Sequence, residues 1–243
     1  MLRVARRNAG LARKDYAGMG YFRIAAVCLG LSLLTGSALA APSVAERAAI
    51  EKAYAARTDA ATQRDIADRI AARWNALAND PASPVIGNPK GDVTIVEFFD
   101  YTCPYCKAVE PRLEALLKAD RNVKLVLKEF PILAPISLPA ARAALAATAQ
   151  GKYTPFHNAM MRFEGRLTEA DVFDMARASG LDVARLKRDM NAPWISEQII
   201  TVFNLARGIR AFQTPTYIVN GKLLSSDSAS IDFRREVAAA RRR

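Results

Sequence analysis

The sequence contains few side chains that bind metals or act as nucleophiles, with three cysteines and one histidine among 243 residues. A zinc site normally takes four Cys or His ligands, so two neighbouring cysteines and a lone His157 argue against one. A hydrophobic content of 51%, with charges scattered along the chain, excludes a disordered protein. The length suits one domain with a sizeable core plus some additional structure.

The first 40 residues are typical of a signal peptide. Basic residues precede an apolar run from Ile24 to Leu34, which is too short to span a bilayer comfortably. Ala38 and Ala40 then supply the small residues that a signal peptidase requires. We therefore expect cleavage after Ala40 and export to the periplasm, with an uncleaved membrane anchor as the alternative.

Removing residues 1–40 changes both the charge and the cysteine count. This segment carries six basic residues and one acidic residue, so the formal net charge falls from +11 to +6 and gives no reason to expect a nucleic-acid site. Because Cys28 also lies there, the mature chain keeps only Cys103 and Cys106. In an oxidising compartment this pair can form one disulfide without competing thiols.

Residues 41–80 are predicted to form a helical stem, since no Gly or Pro interrupts residues 43–79. Its apolar stripe comprises Ile66, Ile70, Trp74 and Leu77. The stripe packs either on the chain's own domain or on a second copy. The proline- and glycine-containing linker predicted at residues 81–92 favours a homo-oligomer formed through residues 43–79.

Residues 93–243 are predicted to form an α/β domain. Val93–Asp100 and Val123–Phe130 have the apolar runs of buried strands, with a helix between them. A helical stretch at about residues 137–208 follows. Two short strands joined by Asn220-Gly221 then form a hairpin, and a helix from about Ile231 ends the domain.

The two cysteines lie where a strand passes into a helix, in the stretch VEFFDYTCPYC. The free N–H groups and the dipole of the helix N-terminus would stabilise a thiolate at Cys103, and Pro104 suits the first helical position. Cys106 lies one turn later on the same face. We predict that Cys103 is the nucleophile and Cys106 the resolving thiol of disulfide exchange, with Pro104 and Tyr105 between them. A static disulfide and Cu(I) bound by both thiolates are the alternatives.

Three stretches, VEFFDYTCPYC, KEFPIL and TPTYIVNG, resemble the DsbA-like branch of the thioredoxin superfamily. Within it, the helical segment and the stretch that follows it resemble the ScsC-like and Com1-like periplasmic proteins. The resemblance implies a thioredoxin fold with a helical insertion, preceded by an N-terminal helical stem. It also implies a thiol:disulfide oxidoreductase that uses no cofactor other than its Cys103–Cys106 pair.

The resemblance also assigns residues outside the cysteine pair. Thr214-Pro215 matches the cis-proline pair that lies opposite the active-site sulfurs and pairs with a substrate strand. Glu97 matches a buried acidic residue beneath the sulfurs, which would relay protons, and Lys128 on the neighbouring strand could be its partner. Without that role, the two residues would simply form a buried ion pair.

The direction of electron flow stays open. Strongly oxidising DsbA proteins carry His between the cysteines, whereas Tyr105 supplies no such charge, and Thr214 before the cis-proline resembles the disulfide isomerases. The expected partners are exported proteins and a membrane redox partner. A copper-binding or copper-tolerance protein that uses the same thiolates, and an inactive scaffold, are the competing functions. His157 is expected to serve packing rather than chemistry.

Overall fold

The computed structural model describes residues 44–224 and 230–242. The predicted signal peptide with Cys28, its cleavage after Ala40 and the first residues of the stem lie outside the described residues. The chain divides into two units, residues 1–51 and 52–243. Of the first, the backbone of residues 44–51 is described and is helical. The remaining description concerns the second unit.

Helices and five strands make up the described residues, in an order that matches the α/β prediction. In chain order they are α1 (Val44–Ala78), β1 (Val85–Gly87), β2 (Val93–Phe99), α2 (Pro104–Ala119), β3 (Val123–Glu129), α3 (Ser137–Ala147), a 3-10 turn (Thr148–Gln150), α4 (Tyr153–Arg162), α5 (Glu169–Ala178), α6 (Val183–Asp189), α7 (Pro193–Gly208), β4 (Thr216–Val219), β5 (Lys222–Leu223) and α8 (Phe233–Arg241). Helices α3 to α7 occupy the residues predicted for the helical insertion.

The strands form one mixed sheet in the order β1-β3-β2-β4-β5. The central strands β2 and β3 run parallel, with Ile95 opposite Leu125, and the other pairs are antiparallel. Asn220 and Gly221 both have positive φ, 42° and 85°, as the predicted two-residue hairpin between β4 and β5 requires. The sheet and its hairpin therefore confirm the predicted strands.

Helices cover both faces of the sheet. Successive side chains of β2 and β3 point to opposite sides, so each of these strands contributes residues to two cores. We call the side with Ile95, Glu97 and Phe99 the cysteine face, since its core also contains Cys103 and Cys106. The opposite side, with Val96 and Phe98 in its core together with residues of α1 and α7, is the α1 face.

The predicted apolar stripe of the stem packs within the chain. Ile70 and Leu77 are fully buried in the core of the α1 face, and Ile66 and Trp74 pack against that core. Self-association through this stripe is therefore not what the structure shows, because the sheet already covers it. Association through the earlier part of α1 stays a prediction.

The predicted linker, residues 81–92, contributes one strand to the sheet. Val85–Gly87 forms the edge strand β1, antiparallel to β3, with Val85 opposite Val126. A strand of three residues between prolines is too short to show an alternating pattern, so the sequence indicated only a linker. Among the described residues, no helix has the length and apolarity needed to cross a membrane.

Candidate active site

The two cysteines lie at the junction of β2 and α2, as predicted. Cys103 is the N-cap residue of α2, and its Sγ accepts a hydrogen bond of 3.3 Å from the backbone N–H of Cys106. Pro104 occupies the first turn, where no N–H donor is needed. Both thiols are free and buried, and Cys103 is only 1% exposed. The two sulfurs are therefore buried at the N-terminus of α2.

The two thiols are electrostatically different. A hydrogen bond from the side chain of Cys106, together with Thr214 and the backbone N–H groups of Cys106 and Tyr105, lowers the pKa of Cys103 to about 6, although burial acts in the opposite direction. Burial raises the pKa of Cys106 far above its usual range, and the neighbouring Cys103 and Glu97 raise it further. At neutral pH, Cys103 is therefore a thiolate and Cys106 a thiol.

The loop before β4 lies opposite the cysteines. The peptide bond between Thr214 and Pro215 is cis, as the resemblance implied, and the carbonyl oxygen of Thr214 lies 3.4 Å from Cys103 Sγ. Two large side chains near this point face solvent: Tyr105 is 66% exposed and Phe212 is 68% exposed. A polypeptide that reaches Cys103 would thus meet exposed aromatic rings around it.

Glu97 is fully buried on the cysteine face. Its Oε1 accepts a hydrogen bond of 2.9 Å from the hydroxyl of Tyr217, whereas its Oε2 has no partner among the described residues. Burial raises the pKa of Glu97 well above its usual range, and the nearby charges of Glu110 and Cys103 add to this, although the bond from Tyr217 opposes it. A protonated carboxyl in this position can exchange a proton with a neighbouring thiol.

The family of the chain follows from comparison with known proteins. The model of the DSBA-like thioredoxin domain matches residues 94–237. The chain belongs to this family. Because the matched residues run from β2 to α8, they contain both cysteines, the cis peptide bond and the helical insertion, which confirms the DsbA-like thioredoxin fold that the sequence predicted.

Individual relatives are moderately similar to the chain. The Na(+)/H(+) antiporter NhaA 1 of Salinispora arenicola is 31% identical over 146 residues, which are 59% of this chain and 22% of that protein. The chain thus spans about a fifth of the length of the antiporters that it matches.

Several solved structures match this chain over nearly their whole length. A thioredoxin-like oxidoreductase from Silicibacter pomeroyi is 44% identical with a TM-score of 0.66, covering 70% of this chain and 98% of that one. The thiol-disulfide exchange protein alpha-DsbA2 from Wolbachia pipientis is 27% identical with a TM-score of 0.66, covering 72% and 97%. The catalytic domain of Proteus mirabilis ScsC, at 23% identity, a TM-score of 0.65 and coverage of 73% and 99%, shows a shared fold.

Lys128 is not the partner of Glu97, contrary to the prediction. In the parallel pairing of β2 and β3, Glu97 lies opposite Leu127, so the side chain of Lys128 projects to the α1 face. There its Nζ donates hydrogen bonds to Ser83 Oγ at 2.7 Å and to Asp80 Oδ2 at 3.3 Å. Lys128 therefore has no direct contact with the cysteine site, and Tyr217 takes its place beside Glu97.

Asp100 holds the loop that carries the cysteines in place, a role that no sequence pattern indicated. Its backbone carbonyl accepts the N–H of Cys103 at 3.0 Å, and its Oδ1 accepts three hydrogen bonds of 2.8 Å from Thr102 and Ser137. Its Oδ2 accepts the backbone N–H groups of Ile132 and Leu133. The carboxylate therefore ties the loop after β2 to the loop after β3.

Glu110 was also missed, although its position four residues after Cys106 on α2 places both on one helix face and could have identified it. It is 4% exposed, and its Oε1 lies 3.7 Å from Nε2 of the buried His157. Among the described residues there is no group of three or more His, Cys, Asp or Glu side chains that could hold a metal ion. The predicted Cu(I) alternative would have only the two cysteine sulfurs.

Proposed function

We propose that the protein is a thiol:disulfide oxidoreductase that exchanges disulfides with exported proteins through Cys103 and Cys106. The observation that carries this proposal is the contrast between the two thiols: Cys103 at the helix N-terminus with a pKa of about 6, and Cys106 buried behind it with a raised pKa. Exchange needs an attacking thiolate and a second thiol that keeps its proton until the mixed disulfide has formed.

The proposed reaction proceeds in two steps, written for the reduced protein. The Cys103 thiolate attacks one sulfur of a client disulfide, which forms a Cys103–client bond and releases the other client sulfur as a thiolate. Cys106 then gives up its proton and attacks Cys103 Sγ. The Cys103–Cys106 bond forms, the second client sulfur leaves as a thiolate, and the pair of electrons has passed from the protein to the client. The reverse sequence oxidises a client dithiol.

The loop before β4 would position the client in both directions. The Thr214 carbonyl oxygen is already aimed at Cys103, so an extended client strand beside Thr214-Pro215 would bring its sulfur next to Sγ. The exposed rings of Tyr105 and Phe212 offer apolar contacts to an unfolded segment. Support from relatives comes from the thiol-disulfide exchange protein of Wolbachia pipientis and the oxidoreductase of Silicibacter pomeroyi.

The proposal includes export to the periplasm, on the basis of the basic and apolar features of residues 1–40. Clients there contain the disulfides that such an enzyme needs. A membrane redox partner would restore the starting oxidation state after each cycle. Acid quenching of cells followed by thiol labelling determines the direction: a mostly oxidised pair indicates an oxidase, and a mostly reduced pair indicates an isomerase or reductase.

Assembly through the stem is proposed only for the part of α1 before Ile66. The native mass of the intact mature chain is compared with that of a chain lacking residues 41–60, a deletion that leaves the buried Ile70 and Leu77 in place. A loss of mass beyond that of the deleted residues supports an oligomer. A monomeric mass for both proteins would contradict it.

The activity itself is tested with the metal-free mature protein, by reduction of insulin and by rescue of scrambled ribonuclease. We expect Cys103→Ser to lower the rate by more than about 1000-fold, because no other described thiol lies at a helix N-terminus. Cys106→Ser should still attack clients and accumulate mixed disulfides. If the metal-free protein is inactive in both assays, or if Cys103→Ser retains the full rate, the proposal is wrong.

A further inference from the structure

A cavity of about 380 Å³ lies beside the loop that carries the cis peptide bond. Gln213, Pro215 and Thr216 line it. Between the first two of these residues, the carbonyl oxygen of Thr214 lies 3.4 Å from Cys103 Sγ. Cavities of roughly 300–1,000 Å³ accommodate small ligands, so this one has room for a large amino-acid side chain. It thus adjoins the point at which a client would meet the attacking sulfur.

Three parts of the chain that are distant in sequence build the lining of this cavity. Gln63 comes from α1, Phe212 from the loop after α7, and Leu223 from β5. Phe212, Leu223 and Pro215 supply apolar surface, whereas Gln63 and Gln213 supply amide groups. An apolar lining with a few polar groups is the usual composition of a binding pocket. The stem helix therefore contributes to a cavity next to the active site, in addition to packing on the sheet.

The side chain of Phe212 is the most accessible apolar group of the cavity. It is 68% exposed, more than any other large hydrophobic residue in the part of the chain that the structure describes. A single exposed apolar side chain is ordinary on a protein surface. This one, however, lines a cavity beside the reactive thiol, and aromatic side chains are enriched at the centres of protein–protein interfaces. The ring therefore offers contact area that an incoming apolar side chain would cover.

An ion pair connects α1 with the loop that carries Phe212. Arg210, two residues earlier, has a positive φ of 59°, which is uncommon for a residue other than glycine. Its Nη2 lies 3.2 Å from Asp65 Oδ2 on α1, and the same oxygen accepts a hydrogen bond of 2.8 Å from Arg69 Nε. All three side chains are more than a third exposed, so these ion pairs contribute little to overall stability. We therefore expect Asp65 to hold the loop in position rather than to support the fold.

The occupant that suits this position is an extended segment of the client. For exchange, the client cysteine must reach Cys103 Sγ while its backbone runs beside Thr214-Pro215. An extended strand advances about 3.3 Å per residue, so the residues within two positions of that cysteine lie within about 7 Å of it along the strand. Where a peptide binds as an added strand, backbone hydrogen bonds give affinity and side-chain pockets give specificity. The cavity beside Pro215 would take one of these neighbouring side chains.

We propose that this cavity is a specificity site that binds an apolar client side chain within two residues of the client cysteine, and that α1 completes the site through Gln63 and Asp65. The inference rests on the proposed function, since it concerns how the same reaction selects its clients. The two-step exchange of the sulfurs is unchanged. Clients with an aromatic or large aliphatic residue at that position should react faster with Cys103 than clients with glycine there.

The first test compares peptides and leaves the cavity unaltered. Each peptide has one cysteine in a disulfide with glutathione and carries either Phe or Gly at one of the four positions within two residues of that cysteine. The reduced mature chain with Cys106→Ser attacks a Phe and a Gly peptide in competition, and mass spectrometry gives the ratio of the two Cys103 adducts. We expect a preference for Phe of about tenfold at one or two of these positions, because filling an apolar pocket gives discrimination of this order. Phe placed five residues from the cysteine is the control and should give equal adducts.

The second test locates the preference with variants in the same chain. Phe212→Ala should reduce the Phe-to-Gly ratio to below about twofold. Ile200→Ala is the control, since it removes a side chain on α7 that is 59% exposed but does not line the cavity. Asp65→Asn should lower the ratio about threefold with little change in the free energy of unfolding, and Asp65→Glu should restore most of it. Asp68→Asn, which changes an exposed carboxylate about one turn later on α1, should leave the ratio unchanged.

The outcomes separate this inference from the proposed function. Equal adducts from Phe and Gly peptides at all four positions would overturn the inference but not the exchange reaction, because adducts would still form. A preference that survives in Phe212→Ala would also overturn it, since the selecting site would lie elsewhere. A wild-type ratio in Asp65→Asn would overturn the part that concerns α1. If no peptide forms an adduct with Cys103, the proposed function itself is wrong.

Discussion

The two faces of the sheet bury charged groups in opposite ways. On the α1 face, Lys128 Nζ donates to Ala76 O, Ser83 Oγ and Asp80 Oδ2, which uses all three of its donors. Gln198 also donates to Asp80 and Ser83. On the cysteine face, Glu97, Glu110 and His157 each keep one polar atom without a hydrogen-bond partner among the residues that the structure describes.

This difference separates a structural network from a reactive one. The network around Lys128 joins α1, β3 and α7, and the hydrogen-bonding groups named above all have partners within it. Although burial pushes the pKa of Asp80 upward, the bonds from Gln198 and Ser83 and the charge of Lys128 hold it below its usual value. Of the three groups on the cysteine face, Glu97 acts directly on Cys106 by raising the pKa of its thiol, at the point where exchange must add and remove a proton.

The largest expected effect is a loss of stability when the network around Lys128 is broken. Lys128→Met should lower the free energy of unfolding by about 3–5 kcal/mol, because Asp80 would keep a charge without its cation and Ser83 would lose a donor. Denaturant unfolding measures this, and exchange per folded molecule should not change. Lys124→Met is the control, since Lys124 lies on the same strand but donates its hydrogen bonds to Ala78 O and Asn79 Oδ1 rather than to a carboxylate. Equal losses in the two variants would contradict a structural role specific to Lys128.

The next effect is a pH dependence of stability that originates on the cysteine face. Burial raises the pKa of Glu129 to about 8, against 4.5 for an ordinary Glu, although Tyr153 and Tyr101 donate to it. The folded state thus holds a proton that the unfolded chain releases, so the free energy of unfolding falls as the pH rises from 4.5 to 8. Glu129→Gln should remove a loss of about 3 kcal/mol between pH 5 and pH 8.

Thermal or denaturant unfolding at several pH values checks the Glu129 prediction. The exposed Glu164→Gln is the control and should leave the pH dependence as it is in the wild type. A Glu129→Gln variant that loses stability on going from pH 5 to pH 8 as steeply as the wild type would show that Glu129 does not hold the buried proton.

A smaller effect is expected on the rate of exchange. Glu97→Gln keeps the hydrogen bond from Tyr217 but has no acidic proton to exchange with Cys106, so release of the client should slow about tenfold at pH 7. The rate of attack by Cys103 serves as the internal control. Unchanged release would remove Glu97 from the proton path.

Local features of this chain were predictable from the sequence. A cysteine pair at a strand–helix junction, an Asn-Gly hairpin and a helix without Gly or Pro each depend on neighbouring residues, and the structure confirms all three. The DsbA-like motifs also predicted the cis peptide bond before Pro215. These signals were sufficient for the fold and for the position of the thiols.

Features that depend on register or on distant residues were not predictable. Glu97 and Lys128 lie on adjacent strands, but the register that pairs Glu97 with Leu127 sends the two side chains to opposite faces. The contact of Glu110 with His157 joins α2 to α4 across the core, and no sequence spacing records it. Strand β1 was missed because it is only three residues long.

The central claim is that the fold makes Cys103 a thiolate at neutral pH and keeps Cys106 protonated behind it. The most direct measurement is alkylation of the reduced protein with iodoacetamide from pH 4 to pH 10, followed by peptide mapping. We predict modification at Cys103 alone, half-maximal near pH 6, with Cys106 unreactive throughout. Equal modification of both thiols, half-maximal near the ordinary cysteine pKa of about 8.5, would contradict the account.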